Sequence, residues 1–222
     1  MTPGPDYYYR CTSCSAVAFQ QSMASGNTFG AVYWSDAKRE APMLPDSPAL
    51  VACPNCNAYL WIASLKPLGQ LDTYRTRQED QEIPGEWKDA PEFRTPDAED
   101  VARALEAGVA DTPERERDLR ISLWWSRNDR HRGHEELDDI ADDPSFQSNL
   151  DRLASLLDES ANDTLLRAEI ARESSDFRRA IELCDALVAL DPEAHLKEVA
   201  GLIRTRALAD DARVFRLNST DA

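Results

Sequence analysis

Long apolar runs are missing from this 222-residue chain. No stretch approaches the ~20 consecutive apolar residues that span a bilayer, and the opening MTPGPDYYYR lacks the apolar segment of roughly 7–15 residues that a secretory leader needs. The expectation is a cytoplasmic protein with no membrane association. Histidine is scarce: His131, His134 and His195 are the only three, and none stands beside a plausible nucleophile, so acid–base catalysis lacks an obvious actor. His131 and His134 lie three apart, but Gly133 interrupts the helix that would bring both imidazoles to one face. Phosphate-cradling glycine loops, dinucleotide fingerprints and the HExxH pattern of zinc proteases are absent. Together these gaps predict a protein that is not an enzyme.

Positive charge is also in short supply. Lys and Arg number 25 against 41 Asp and Glu, a formal charge of −16. Through Gly69, Arg10, Lys38, Arg39 and Lys66 balance Asp6, Asp36, Glu40 and Asp46, four against four, so the whole deficit lies downstream. An acidic surface repels a phosphate backbone, which makes nucleic acid an unexpected partner for that part of the chain. It is read as a solvated face, or as a docking face for a protein partner, a basic one being its natural complement. Apolar residues at 42% and charged residues at 30% are ordinary for a folded domain with a real core.

Five cysteines are present, and four of them form two matched pairs, CTSC at 11–14 and CPNC at 53–56. Two intervening residues let a tight turn point both sulfurs at one ion, and two such turns supply the four thiolates of a tetrahedral zinc site. Cys11, Cys14, Cys53 and Cys56 are therefore the candidate ligands. In a reducing compartment paired thiols hold metal in preference to forming disulfides. A thioredoxin-like redox motif belongs at the start of a helix, and neither pair opens a helical pattern. Zinc is the expected ion, in a structural role because four thiolates close the coordination sphere; iron accepts the same four ligands and stays open.

Strand residues precede each pair, Tyr7-Tyr8-Tyr9 before the first and Leu50-Val51-Ala52 before the second, and Tyr59-Leu60-Trp61-Ile62 follows. Residues 28–43 read as an extended stretch with a polar turn at Ser35-Asp36-Ala37-Lys38. The result is a small antiparallel sheet whose core needs metal to be stable. With its doubled CxxC bracketing strands, the module over residues 6–66 resembles a zinc ribbon. That resemblance implies contacts with nucleic acids or proteins, but the balanced charge leaves no electrostatic footprint for nucleic acid. Its aromatic residues are read as packing for the small sheet.

Residues 71–96 carry prolines, a Pro-Gly turn and acids, and form an ordered strap or linker because Trp87 and Phe93 are suited to dock on a folded surface. From residue 97 to 222 the pattern is helical. Thr95-Pro96, Thr112-Pro113 and Asp143-Pro144 each announce a helix start. Phe146, Leu150, Leu153, Ala154 and Leu157 make one apolar stripe, and Leu196, Val199, Ala200, Ile203 and Ala207 make another. Cys184 falls on an apolar face and is read as a buried thiol.

The stretch LLRAEIARESSDFRRAIELCDALVALDP, residues 165–192, resembles a tetratricopeptide repeat. Ala168 and Ala171 occupy the small inter-helix positions, Phe177 and Ala180 open the second helix, and Asp191-Pro192 end it. It departs from that family at Thr164 and Arg167, where large apolar residues are usual, and at Ser174-Ser175, where glycine is common. The expectation is of TPR-like hairpins and not of a full array.

The fold class expected is thus α+β: residues 1–70 a zinc-ribbon-like sheet, 71–96 a strap, and 97–222 an acidic all-α TPR-like region. The function expected is a zinc-binding protein-interaction adaptor, with Trp124 and Trp125 as candidate partner-binding side chains because tryptophan is enriched at binding hot spots. The alternative is a nucleic-acid-associated factor that uses the ribbon for contact.

Overall fold

A computed structural model describes residues 1–72, 83–132 and 144–217. The acidic run at 135–143, His134 and the Asp143 cap expected from the sequence lie outside the described residues. The fold is α+β, with antiparallel sheets in the first part of the chain and, among the described residues, six helices that follow. Two compact units can be distinguished, and they do not follow chain order: residues 1–31 and 41–109 make one, residues 32–40 and 110–222 the other.

In the first unit, β1 (Thr2–Arg10) is the centre of a three-stranded antiparallel sheet between β2 (Val17–Ser25) and β7 (Pro67–Leu71). The tyrosine run suits a strand because aromatic rings pack well on a pleated, half-buried surface. Tyr8 lies opposite Phe19, and Tyr9 opposite Ala18. A hairpin of β5 (Leu50–Ala52) and β6 (Tyr59–Trp61) stands apart from that sheet. Tyr9, Cys11, Ala18, Val51, Cys53, Leu60 and Phe93 share one core. Two of the cysteines expected to bind metal are therefore also core residues.

The described part of the strap, residues 83–96, is stitched to this unit by its backbone. Phe19 N–H donates to Pro91 O (3.0 Å) and Phe93 N–H to Phe19 O (2.8 Å), while Ala52 and Arg94 exchange bonds of 2.9 and 3.0 Å. Trp87, in a 3₁₀ turn at Gly85–Trp87, stacks on Tyr8 with ring centres 4.5 Å apart and planes 6° from parallel. The indole lies so close to β7 that a Cβ on Gly69 would come within 2.4 Å of it. Helix α1 (Ala98–Glu106) belongs to the same unit. Its cap is Asp97 and not Thr95 as the Thr-Pro pair suggests: the Asp97 carboxylate accepts from Asp100 N–H at 2.9 Å, the bond an N-cap must make.

In the second unit, α2 (Pro113–Asn128) starts as its sequence predicts, with Thr112 as cap and proline in the first turn. It packs against α3 (Pro144–Leu156), and α4 (Ala161–Glu173), α5 (Phe177–Ala189) and α6 (Ala194–Leu208) pack as successive hairpins. Both predicted apolar stripes are buried. Phe146, Leu150, Leu153 and Leu157 surround Trp124 and Ile170, and Ala200 and Ile203 join Ala168, Cys184, Leu187 and Phe215. Ser175, at the α4–α5 turn, takes a left-handed φ of 61°, the conformation for which glycine is favoured.

The insert between the cysteine pairs departs from expectation. Residues 32–40, read from the sequence as part of the first sheet, form a short hairpin of β3 (Val32–Tyr33) and β4 (Arg39–Glu40) that belongs to the helical unit. It pairs with the chain beyond α6: Ser35 N–H donates to Phe215 O (2.9 Å) and Leu217 N–H to Tyr33 O (2.8 Å). The return bond, Phe215 N–H to Ser35 Oγ (3.0 Å), is buried.

Candidate metal centre

Cys11 and Cys53 open two turns that are copies of one another. In the first, Cys11 N–H donates to Ala16 O and Ser15 N–H to Cys11 O, both at 2.9 Å; in the second, Cys53 N–H donates to Ala58 O and Asn57 N–H to Cys53 O, again at 2.9 Å. Each turn closes through a left-handed residue four positions on, Ser15 at φ 65° and Asn57 at φ 57°. Asparagine tolerates that conformation well. Serine is held in it by the turn's own hydrogen bonds.

These paired turns bring the four sulfurs within 4.8 Å of one another. Cys11 Sγ is 3.7 Å from Cys56 Sγ, and Cys14 Sγ is 3.7 Å from Cys53 Sγ. A tetrahedral zinc with Zn–S bonds of about 2.3 Å requires sulfurs about 3.8 Å apart. The four-cysteine cluster is therefore compatible with a bound metal ion such as zinc. Cys11 and Cys53 are buried, Cys14 is partly exposed and Cys56 is exposed, so the cluster is anchored in the core on one side and reaches solvent on the other.

Donors already face these sulfurs. Ser13 N–H points at Cys11 Sγ (3.4 Å) and Asn55 Nδ2 at Cys14 Sγ (3.4 Å). The Ala16 backbone N–H and then the Asn55 side chain bring the Cys14 thiol down to about 6, which favours the thiolate a metal needs. Burial acts the other way on Cys53 and pushes its thiol up. A bound cation offsets that cost, because it stabilises the thiolate directly. Ser13 and Asn55 carry no signal in the sequence beyond their place inside a CxxC.

No family model, curated protein or solved structure matches this chain.

Of the two tryptophans expected at a partner surface, one is enclosed and the other is partly buried. Trp124 is fully buried and its Nε1–H donates to Glu173 Oε2 at 2.6 Å, so it offers nothing to a partner. Trp125 is partly buried, and its Nε1–H donates to the Asp36 carbonyl at 3.0 Å. Cys184 is a core thiol, pushed up to about 12 chiefly by burial. His131 sits 3.4 Å from an Arg127 nitrogen. Burial and its arginine neighbours lower its pKa, and it belongs to no metal-binding group among the described residues.

A buried polar cluster in the helical unit escaped sequence reading. Asp36, Asn128, Glu169, Arg172 and Glu173 are each fully enclosed. Asp36 stands in a turn and the others in charged helical text, where solvated faces are the ordinary case. No helix among the described residues is long and apolar enough to cross a membrane.

Proposed function

We propose that Cys11, Cys14, Cys53 and Cys56 hold one structural zinc ion in a zinc-ribbon-like module, and that the chain serves as a protein-interaction adaptor without chemistry of its own. The observation that carries the first half is the sulfur geometry: two turns with the same hydrogen-bond pattern bring four sulfurs within 4.8 Å of one another, with Cys11–Cys56 and Cys14–Cys53 at 3.7 Å. Four thiolates fill zinc's coordination sphere, so no position is left for an activated water. The metal's contribution is then to folding. It ties β1 to β5 through a core too small to stand on apolar burial alone.

The adaptor half rests on the acidic helical unit, whose α4–α5 hairpin is TPR-like in its small residues: Ala168 is buried and Ala171 partly so, and Ala180, near the start of α5, is buried. Its partner is read as a protein with a basic surface, complementary to the acidic charge. The test is metal analysis and affinity isolation on one sample of the intact chain. One equivalent of zinc together with a stoichiometric, salt-sensitive basic protein is the expected result. Iron in place of zinc overturns the metal assignment. Salt-sensitive retention of DNA or RNA, with no protein, overturns the adaptor reading.

A further inference from the structure

The buried cluster of the helical unit has more negative than positive groups. Glu169 and Arg172 form an enclosed ion pair, with Arg172 donating to the two Glu169 oxygens at 2.8 and 2.5 Å and also to the Asp211 carbonyl. Arg132, whose side chain is 5% exposed, donates to Asp36 at 2.5 Å. Glu173 has only a share of Arg172, whose Nη2 lies 3.9 Å from Glu173 Oε1, beyond hydrogen-bond reach. It accepts from Trp124 Nε1 at 2.6 Å and from Asn128 Nδ2 at 3.1 Å, and the same Asn128 amide nitrogen donates to Asp36 at 2.8 Å. Three enclosed carboxylates (Asp36, Glu169, Glu173) thus meet two enclosed guanidiniums (Arg132, Arg172).

An uncompensated charge in such a place is costly enough that the group neutralises instead. Four further cations of the surrounding elements contact other groups. From α2, Arg127 lies over the Phe146 ring and against His131. The hairpin's Lys38 is engaged with Asp129, which Arg132 also contacts. Arg206, in the last turn of α6, and Arg213, beyond it, pair with the Asp211 carboxylate. From α5, Cys184 is a neutral thiol. The cluster's hydrogen bonding is also incomplete, since Asn128 Oδ1 is buried without a donor and Arg132 Nη1 without an acceptor among the described residues.

We propose that Glu173 carries a proton in the native helical unit at neutral pH, and that this proton latches the 32–40 hairpin onto the helices. Glu173 and Asp36 share one amide donor, so ionising Glu173 sets a second negative charge beside Asp36. Glu173 is fixed on α4 between two apolar cores. Asp36 is held on a nine-residue hairpin attached besides by a short ladder to residues 215–217, by Arg132 stacked on Trp34 4.8 Å from the ring centre, by the Trp125 bond to the Asp36 carbonyl and by the partly exposed Lys38–Asp129 pair. Withdrawal of the hairpin is therefore the cheaper relief.

The direction with pH follows from the enclosure. Burial, then the Glu169 and Asp36 charges, raise Glu173 well above its usual 4.5. A carboxyl raised in the native state binds more protons there than when unfolded, so stability falls as pH rises from that usual value to the native one and is flat beyond it. Each pH unit in that window lowers the midpoint of the helical transition by about 5 °C.

The experiment uses the intact, metal-loaded chain and compares wild type, Glu173→Gln and Asp36→Asn from mildly acid to mildly alkaline pH. Thermal midpoints are read together with the exchange protection of the Ser35 and Leu217 amides. Wild type should lose midpoint and amide protection as pH rises, and E173Q should be flat, with the larger midpoint on the alkaline side. An E173Q slope equal to wild type, or a flat wild type, overturns the proposal. Flattening by D36N and not by E173Q overturns it in favour of a proton on Asp36. Should E173Q not fold, infrared spectra of wild type labelled with ¹³C at glutamate carboxyls decide: a protonated glutamic acid band at neutral pH is expected, and its absence overturns the assignment.

Discussion

Single atoms decide much of this protein's behaviour. Cys11 and Cys53 are both metal ligand candidates and members of the core, whereas Cys56 is exposed. Cys11→Ser should therefore abolish metal retention and destabilise the first unit, and Cys56→Ser should weaken retention while leaving the apolar core intact; zinc content and chelator-competition affinity separate the two outcomes. Gly69 is a second such point. An added methyl would meet the Trp87 ring at 2.4 Å, so Gly69→Ala should expel the indole from Tyr8 at a cost of about 1–3 kcal/mol, seen as a red shift in Trp87 fluorescence in a chain keeping only that tryptophan.

Trp124 shows where residue-level reading of the sequence stops. Side-by-side tryptophans invite a binding role, but nothing in the local text tells which ring finds a buried carboxylate 49 positions away. The cysteines are different. Their spacing alone dictates the turn, and the turn dictates where the sulfurs go. A ligand set held by local geometry can be read from a sequence, whereas a pairing made only by tertiary packing cannot.

The same distinction holds among the elements. Apolar stripes of α3 and α6 are legible because burial follows the 3.6-residue period. The α2 start is legible because Thr112 and Pro113 act within one turn, and Thr112→Ala should cost the helical unit about 1 kcal/mol in a denaturant titration. Helix α1 misleads by two residues because Asp97, inside the apparent Thr-Pro start, makes a cap of its own. The hairpin at 32–40 has legible strands and turn, yet its destination depends on Ser35 meeting Phe215 across 180 positions. Periodicity holds no information on that scale.

For the molecule as a whole, the two units should answer pH from opposite sides. In the first, Asp100 is held well below the usual carboxylate range by Arg94 and Arg103, with Tyr59 also donating to it. A carboxyl lowered in the native state contributes stability above its unfolded value, near 3.8, and loses it as pH falls through the native one. Acid should thus weaken the cysteine-bearing unit, and Asp100→Asn should remove that part of its acid sensitivity, measured by unfolding midpoints below and above that value. Chelator should act on the same unit, unfolding residues 1–31 and 41–109 while the helical circular dichroism persists.

The chain order of the units bears on how this protein can be divided. Because residues 32–40 leave the cysteine-bearing unit and return to it, the backbone passes between the two units at three places, after Ala31, Glu40 and Val109. A cut after Val109, where a conventional boundary would fall, strands the hairpin on the wrong fragment. The C-terminal fragment then lacks Ser35 and Asp36, and its segment at 214–217 loses its backbone partners. Neither piece is a domain in the cloning sense. Co-expressed, they should behave as a split protein that reassembles through the nine-residue hairpin, with co-purification of the two pieces as the measurement.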